Sequence, residues 1–368
     1  MVIKQLLADF QLPETRNSCI TDADGIVNTL TELLKLHVGV TGPTFSTNSK
    51  GFGRMLIYED GDKRQCTVRM FPDGMVTIDI IFNMDNQNDE QVTQIFLNLK
   101  QGLRKNTSLV SPDVIPPIAR GCDIKKYYDT SDGRMKEYDF DKVIYHGSSE
   151  YQDILIVHSP QFGNMLFLDD EEMLADSDIA YTRAILGNGR ENFKDKTLLI
   201  LGGGDGGILH EVLKEDPKFV TMVEIDQLVI DVARKHLRNI CGDTMDSLNG
   251  RNYEIIVQDC FVELRKYIKE GKVFDYILND LTDLPIGAEG CTESRWGFIK
   301  DVLDLSLQAL DKKGKYFAQG TNGANNHLAH ERYEKILSSS SCSVDFSKEL
   351  VFVPSFLELW TFYEVWKK

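Results

Sequence analysis

Four acidic residues, Asp205, Glu224, Asp259 and Asp280, each fall at or just after the end of an apolar run. The first sits in Leu201-Gly202-Gly203-Gly204-Asp205-Gly206-Gly207, between the run TLLILG (197–202) and the amphipathic stretch GILHEVLKE. Glycines at such a place let the backbone turn tightly and come close to a ligand, with a helix N-terminus behind it. About 20 residues further on, Glu224 closes the next run, where a carboxylate can accept from both hydroxyls of a ribose. Asp259 and Asp280 close the third and fourth runs. An acid at the start of a helix is also a cap, and Asp205 and Asp259 both stand there. Four acids on four successive strand ends point instead to a common site, since ligands of open α/β sheets bind outside the C-terminal strand ends. All four are expected to face one crevice.

The residue type in the glycine loop says which ligand suits that crevice. Asp205 would stand close to the pyrophosphate of a dinucleotide, and two like charges about 4 Å apart repel by about 1 kcal/mol in water and by several in a dry cleft. That argues against a nicotinamide cofactor and for adenosine attached to a cation, a sulfonium nucleoside. Asp205 would also repel the carboxylate of S-adenosylmethionine and attract a bare ammonium. It thus favours a decarboxylated donor with an aminopropyl chain over a methyl donor.

The elements that must hold these acids can be read from the pattern. Apolar runs at 197–202, 219–226, 253–259, 274–280 and 315–320 alternate with the amphipathic stretches GILHEVLKE, QLVIDVARKHL, FVELRKYIKEG and FIKDVLDLSLQAL. This is the pattern of a parallel sheet covered on both faces, a Rossmann-like α/β domain over 176–368. The last runs, KELVFVP and LWTFYEVW, have no helix between them and are expected to pair antiparallel at one edge. Residues 123–175 repeat strand and turn and read as a small antiparallel sheet, which makes 113–175 a central β region. In the first 112 residues, helices over 26–36 and 90–105 flank alternating runs at 55–59, 66–71 and 75–82. Asp60-Gly61 and Asp73-Gly74 mark hairpins between those runs. That is a small α+β domain, with Thr21 or Asp22 available to cap its first helix. Residues 106–122 hold Pro112, Pro116 and Pro117 without periodicity, the mark of a linker.

Composition narrows the partners. A formal net charge of -16 over 368 residues disfavours nucleic acid and anionic membranes, which need a basic face. It aids solubility and would concentrate a cationic small molecule. The start of the sequence carries no signal-peptide pattern, and no run of about 18 apolar residues suggests a spanning helix. The seven cysteines (Cys19, Cys66, Cys122, Cys241, Cys260, Cys291, Cys342) include no C-x-x-C pair, so a reducing cytoplasm is expected and structural zinc is not. His327 and His330 read as decoration of a solvated helix. The acids Asp169 to Glu172 read as a solvated turn, Trp296, Trp360 and Trp366 as core or interface residues, and Cys260 as a small buried residue.

The glycine loop with Val223-Glu224-Ile225-Asp226, the pair Asp259-Cys260, and FDYILNDLTD (274–283) resemble the aminopropyltransferases, the spermidine and spermine synthases. Ser149 to Asp153, Asp178 to Arg183, Val353 to Trp360 and the extra N-terminal domain extend the resemblance on the spermine-forming side of the family. The resemblance implies a methyltransferase-type catalytic sheet. It also implies transfer of an aminopropyl group from decarboxylated S-adenosylmethionine to spermidine, giving spermine and 5′-methylthioadenosine without metal or cofactor. Gln152 and Glu224 would hold the nucleoside, Glu224 on the ribose, and Asp259 would accept from the adenine amine with Cys260 beside it. Asp205 would bind the ammonium of the aminopropyl chain or of the incoming polyamine. Tyr181 and Glu358 would position the acceptor, with Asp280 as general base. Phe356 departs from the pattern, standing where the family is expected to have tyrosine. Other readings stay open: a spermidine synthase using putrescine, thermospermine formation from the other end of spermidine, an S-adenosylmethionine methyltransferase, or a non-catalytic polyamine-binding regulator. The N-terminal domain is expected to pair two chains into a homodimer.

Overall fold

The computed structural model describes residues 2–12, 23–49, 51–106, 109–130, 133–285, 293–323 and 326–368. Thr21, Asp22, Cys19 and Cys291 lie outside the described residues. The chain divides into two compact units, Met1–Asp123 and Ile124–Lys368.

The first unit contains β1 (Ile3–Gln11), α1 (Ala23–His37), β2 (Pro43–Ser49), β3 (Gly53–Asp60), β4 (Arg64–Met70), β5 (Met75–Asn83), α2 (Asp89–Lys105) and β6 (Val110–Arg120). Its six strands form one antiparallel sheet in the order β2-β3-β4-β5-β1-β6. Alternation buries Leu56, Tyr58, Val68, Ile78, Ile80 and Phe82 on one face, in a single core with Leu30 and Leu34 of α1 and Leu99 and Leu103 of α2. A reciprocal capping box between Asn88 and Gln91 starts α2. The linker expected over 106–122 is corrected here. Residues 110–120 are an edge strand paired with β1, with register shifts between Gln5 and Leu7 and between Asp9 and Gln11. Edge strands with such irregularities tolerate proline, so Pro112, Pro116 and Pro117 were misleading. The first unit therefore runs to Asp123, beyond the boundary expected at 112. The strands β1 and β2 were not anticipated.

The second unit opens with a two-stranded hairpin, β7 (Tyr127–Asp129) and β8 (Met135–Glu137). An antiparallel sheet of β9 (Lys142–Ser148), β10 (Asp153–Ser159), β11 (Gly163–Leu168) and β12 (Glu171–Ala175) follows, in the order β12-β11-β10-β9. Then come α3 (Ile179–Ile185), β13 (Thr197–Gly202), α4 (Gly207–Leu213), β14 (Phe219–Glu224), α5 (Gln227–His236), α6 (Arg238–Cys241), β15 (Tyr253–Val257), α7 (Cys260–Glu270), β16 (Phe274–Asp280), α8 (Glu293–Ala309), β17 (Leu310–Asn322), α9 (His327–Ser338), β18 (Val344–Val353) and β19 (Glu358–Lys367). The seven-stranded sheet runs β15-β14-β13-β16-β17-β19-β18. Its first five strands are parallel, and β19 pairs antiparallel with both β17 and β18. Separate apolar cores formed with its helices contain alternate residues of β13: Leu198 and Ile200 in one, Leu199 and Leu201 in the other. The chain runs outward from β13 through β14 to β15, then crosses to β16 on the other side. That reversal opens a crevice above the C-terminal ends of β13 and β16. Among the described residues no helix is long and apolar enough to cross a membrane.

Candidate active site

At the reversal, Gly202 of β13 stands in register with Asp280, the last residue of β16. Gly202 has φ 78°, and a Cβ there would lie 2.4 Å from the Asp280 carbonyl oxygen. Only glycine fits. The loop then brings Asp205 to the start of α4, where its Oδ1 accepts from the Gly207 N–H at 2.7 Å. Glu224 ends β14, and its Oε1 accepts from the Asp226 N–H at 2.9 Å. A Cβ on Gly204 would meet Glu224 Oε2 at 2.9 Å, so a side chain there would crowd the carboxylate that lies against the loop.

Asp205, Glu224 and Asp280 thus share one buried region. Burial pushes Asp280 up to about 7, and the negative charges of Asp205 and Glu224 push in the same direction. Glu224 is raised to about 7, by burial first and then by Asp226 and Asp205. Asp205 is raised by its burial. No lysine or arginine is among the largest influences on any of the three. A buried group of acids without a cation is costly, and a cationic ligand would relieve it.

Tyr181 on α3 completes the group, its hydroxyl donating to Asp280 Oδ1 at 2.5 Å. Its own ionisation is pushed well up by burial and by the Asp280 charge, so it stays a donor. Asp283, three residues past Asp280, also bears on Tyr181. It is raised to about 6 by burial and by Glu171. The motif holding Asp283 was visible in the sequence, but no role had been read for it.

Asp259 follows β15, the strand that pairs with β14. It precedes α7 and caps it, accepting from the Phe261 N–H at 2.8 Å. It lines an adjoining cleft of about 440 Å³, with Ser149, Tyr151, Ile225, Leu228 and Val257 among its walls. Asp259 thus lies one strand out from Glu224, on the wall of that cleft, and Asp205, Glu224 and Asp280 gather around the switch point. Cys260 is buried, and burial and Asp259 push its thiol up to about 12, which makes it unreactive. Gln152, in the turn before β10, donates from Nε2 to Asp226 Oδ2 at 3.0 Å.

Glu358 opens β19, and its Oε1 is buried without a hydrogen-bond partner. Its charge is felt by Glu172 and Tyr138. Glu172 accepts from the Tyr138 hydroxyl at 2.6 Å and is paired with Lys136. Glu172 is thus not part of a solvated turn: it lies on β12, mostly buried, where a register shift between Leu166 and Phe167 of the partner strand interrupts the alternation. Asp170 does fit the turn, ion-paired with Lys125 at 2.6 Å and largely exposed. Phe356 is buried, with its ring 6.1 Å from that of Tyr181 and 4.9 Å from that of Trp360. Asp178 anchors this segment, accepting from the Ser355 N–H at 2.9 Å and from the Ser355 hydroxyl.

His330 corrects another expectation. It is 5% exposed, with Nδ1 2.9 Å from the Tyr363 hydroxyl, a core histidine rather than a solvated one. Its spacing with Tyr333 and Leu337 on α9 would have shown this. Trp296 is buried as expected. Among the described residues no group of three His, Cys, Asp or Glu is placed to hold a metal ion.

Residues 178–368 match the spermine/spermidine synthase domain, and residues 124–175 match the spermidine synthase tetramerisation domain. The chain is 31% identical over 224 residues to polyamine aminopropyltransferase 1 of Hyperthermus butylicus, covering 60% of this chain and 73% of that one. It is 30% identical over 241 residues to a thermospermine synthase of Arabidopsis thaliana, covering 64% of this chain and 67% of that one. A crystal structure of a spermidine synthase in complex with the transition-state analogue AdoDATO aligns with TM-score 0.52 and 26% identity, over 67% of this chain and 80% of that one. A spermidine synthase from Thermotoga maritima shares the fold, with TM-score 0.50 and 23% identity over 67% of this chain and 79% of that one.

Proposed function

Since the chain belongs to the spermine/spermidine synthase family of polyamine aminopropyltransferases, we propose that it is a spermine-forming member. It transfers the aminopropyl group of decarboxylated S-adenosylmethionine to spermidine. The observation that carries this reading is the Asp280 carboxyl, buried beside Asp205 and Glu224 and held by the Tyr181 hydroxyl at 2.5 Å.

The donor's sulfonium is itself a good leaving group, so the transfer needs no metal or cofactor. The acceptor amine attacks the carbon bonded to sulfur. The C–N bond forms as the C–S bond breaks, and the electron pair returns to sulfur to give the neutral thioether 5′-methylthioadenosine. The difficulty lies with the acceptor: an alkylammonium has a pKa of about 10 and is no nucleophile until it loses a proton. A carboxyl raised to about 7 is a better base toward it than an ordinary aspartate, and it sits where an amine hydrogen-bonded to Asp280 is also oriented. Asp205, with no protein cation beside it, attracts an ammonium of the donor chain or of the acceptor. Gln152 and Glu224 hold the nucleoside, with Glu224 on the ribose, and Asp259, on the wall of the adjoining cleft, receives the adenine amine.

Spermidine rather than putrescine is favoured by Glu358. A longer acceptor carries one more cationic nitrogen, and the buried, unpartnered Oε1 of Glu358 is an acceptor for it. The five described cysteines are free, in keeping with a cytoplasmic setting. Two chains pair through the sheet face of the first unit that its helices leave uncovered.

The test is product analysis. Incubation with decarboxylated S-adenosylmethionine and either spermidine or putrescine, followed by chromatography, is expected to give spermine from the first and little product from the second. Product from putrescine alone would make the protein a spermidine synthase. Thermospermine would mean that the other end of spermidine reacts. Polyamine binding without product from either acceptor would make it a binding protein.

A further inference from the structure

Asp226 is 1% exposed and touches both walls of the cleft next to the three acids. Its Oδ1 accepts from the Leu228 N–H at 2.9 Å and so caps α5. Its Oδ2 accepts from the Ser149 hydroxyl at 2.6 Å and from Gln152 Nε2 at 3.0 Å. Its own N–H donates to Glu224 Oε1 at 2.9 Å. One residue therefore ties the turn before β10 to the end of β14, the two places from which the nucleoside would be held.

The hydrogen-bond polarity of this knot is fixed. Ser149 Oγ already accepts from the Tyr151 and Gln152 N–H groups at 3.0 and 3.1 Å, so its proton is left for Asp226. With Leu228 N–H on one oxygen and Ser149 O–H on the other, the Asp226 carboxyl acts as an acceptor. An amide can meet it only through its NH2 group. Gln152 must then turn Nε2 toward Asp226 and keep its carbonyl oxygen for a ligand. In the same way the Asp226 N–H occupies Glu224 Oε1 and leaves Oε2, which lies against Gly204.

We propose that Asp226 is a positioning residue that sets Gln152 as a hydrogen-bond acceptor. The nucleoside site thereby offers two oxygens, from Gln152 and Glu224, to the two donor hydroxyls of a ribose. This rests on the aminopropyltransferase reading given above. Asp226 touches neither reacting atom. It acts through the orientation of the other two side chains.

The polarity can be inverted and restored. In Asp226→Asn the new NH2 group faces Ser149 and Gln152. Gln152 must flip its amide to accept from it, which presents an NH2 group to the ligand. Adding Gln152→Glu to Asp226→Asn returns an acceptor oxygen to both places. The full-length protein is assayed with decarboxylated S-adenosylmethionine and polyamine, with binding of 5′-methylthioadenosine measured in parallel by calorimetry. Asp226→Asn is expected to raise the KM of the nucleoside donor about tenfold, as loss of one hydrogen bond in a polar site does, with kcat within about twofold. The acceptor KM should stay unchanged, and the Asp226→Asn/Gln152→Glu pair should recover most of the donor affinity. Gln152→Ala in the Asp226→Asn background should cost little more, because the two residues act as one unit. An unchanged donor KM in Asp226→Asn overturns the proposal, as does a failure of Gln152→Glu to rescue a folded double variant. If the unaltered protein neither turns over the donor nor binds 5′-methylthioadenosine, it is the functional reading that fails, which keeps the two outcomes apart.

Discussion

The Tyr181 hydroxyl and Asp280 Oδ1, brought 2.5 Å apart from α3 and the end of β16, oppose the other influences on that carboxyl. Burial and the charges of Asp205 and Glu224 favour the protonated acid, whereas the hydrogen bond from Tyr181 favours the carboxylate. The net position, about 7, places proton uptake where a base is useful at neutral pH.

Removing the hydroxyl tips that balance. In Tyr181→Phe the carboxylate loses its donor, so the Asp280 pKa rises. The ascending limb of kcat/KM against pH, expected near 7 in the unaltered protein, should move to higher pH. A hydrogen bond to a charged group is worth about 1.5–3 kcal/mol, so kcat/KM at pH 7 should fall by one to two orders of magnitude. A limb that stays in place would mean that Asp280 does not govern it.

Asp280→Asn removes the proposed base while keeping most of the shape. General-base catalysis contributes about 10²–10⁴-fold, so kcat should fall by that factor and the limb near pH 7 should vanish. Because the acids share one region, the position of the Asp280 limb also depends on Asp205 and Glu224. Asp205→Asn removes one of the charges that raise Asp280 and should shift whatever limb remains to lower pH. Steady-state rates from pH 5.5 to 9 separate the two variants.

The same raised carboxyls act on stability. Asp280, Glu224 and Asp205 all have native pKa values above their ordinary ones. Between the ordinary values, about 4, and the native values, about 7 for Asp280 and Glu224, the folded state holds protons that the unfolded state has released. Fewer protons bound in the unfolded state means stability falls as pH rises. The ligand-free protein should therefore lose stability across pH 4–7 from this group and show its lowest contribution above 7. Asp205→Asn should melt higher than the unaltered protein at pH 8, by the equivalent of a few kcal/mol at most, since each pKa unit corresponds to about 1.4 kcal/mol. The difference should shrink at pH 5. Melting curves at the two pH values, without ligand, show whether it does.

What could be read from the sequence follows from how each signal is written. The alternation of apolar runs and helices placed β13 to β17, and the glycine loop placed Asp205, because strand ends and glycine turns are local features. The antiparallel pair at the sheet edge was legible because no helix separates KELVFVP from LWTFYEVW. Asp226 was not legible as a tie between two walls, since its partners Ser149 and Gln152 lie more than 70 residues away. Only folding brings them together. Glu172 was misread because a run of acids suggests solvent, whereas its partners Lys136 and Tyr138 lie 36 and 34 residues away in the sequence. The strand over 110–120 was hidden by three prolines that a central strand would not tolerate but an edge does.

The pairing proposed for the first unit can be placed on one face of its sheet. Ile57, Thr67, Asp79 and Leu7 stand side by side across β3, β4, β5 and β1. They lie on the side opposite the buried residues of those strands, and all four are only partly buried. If two chains associate through this face, Ile57→Glu places a charge in the contact, and its desolvation opposes association. The variant should run as a single chain by light scattering where the unaltered protein runs as a dimer or larger assembly. Unchanged association would move the contact to the second unit, whose residues 124–175 match a tetramerisation domain.

The acceptor end rests on one oxygen. Glu358 Oε1 is buried and unpartnered, and Glu172 nearby is already neutralised by Lys136. On the spermine-forming reading proposed above, Glu358 is the carboxylate that meets the additional ammonium. Glu358→Gln keeps the size and removes the charge. A charged hydrogen bond contributes about 1.5–3 kcal/mol against about 1 for a neutral one, so the KM for spermidine should rise by about one order of magnitude. Putrescine has no third nitrogen to lose, and its kcat/KM should change less. The ratio of the two kcat/KM values, measured with the same donor concentration, is therefore expected to move toward putrescine. Equal losses for both acceptors would show that Glu358 supports the fold of β19 rather than the choice of acceptor. A loss confined to spermidine would assign the added length of the acceptor to this residue.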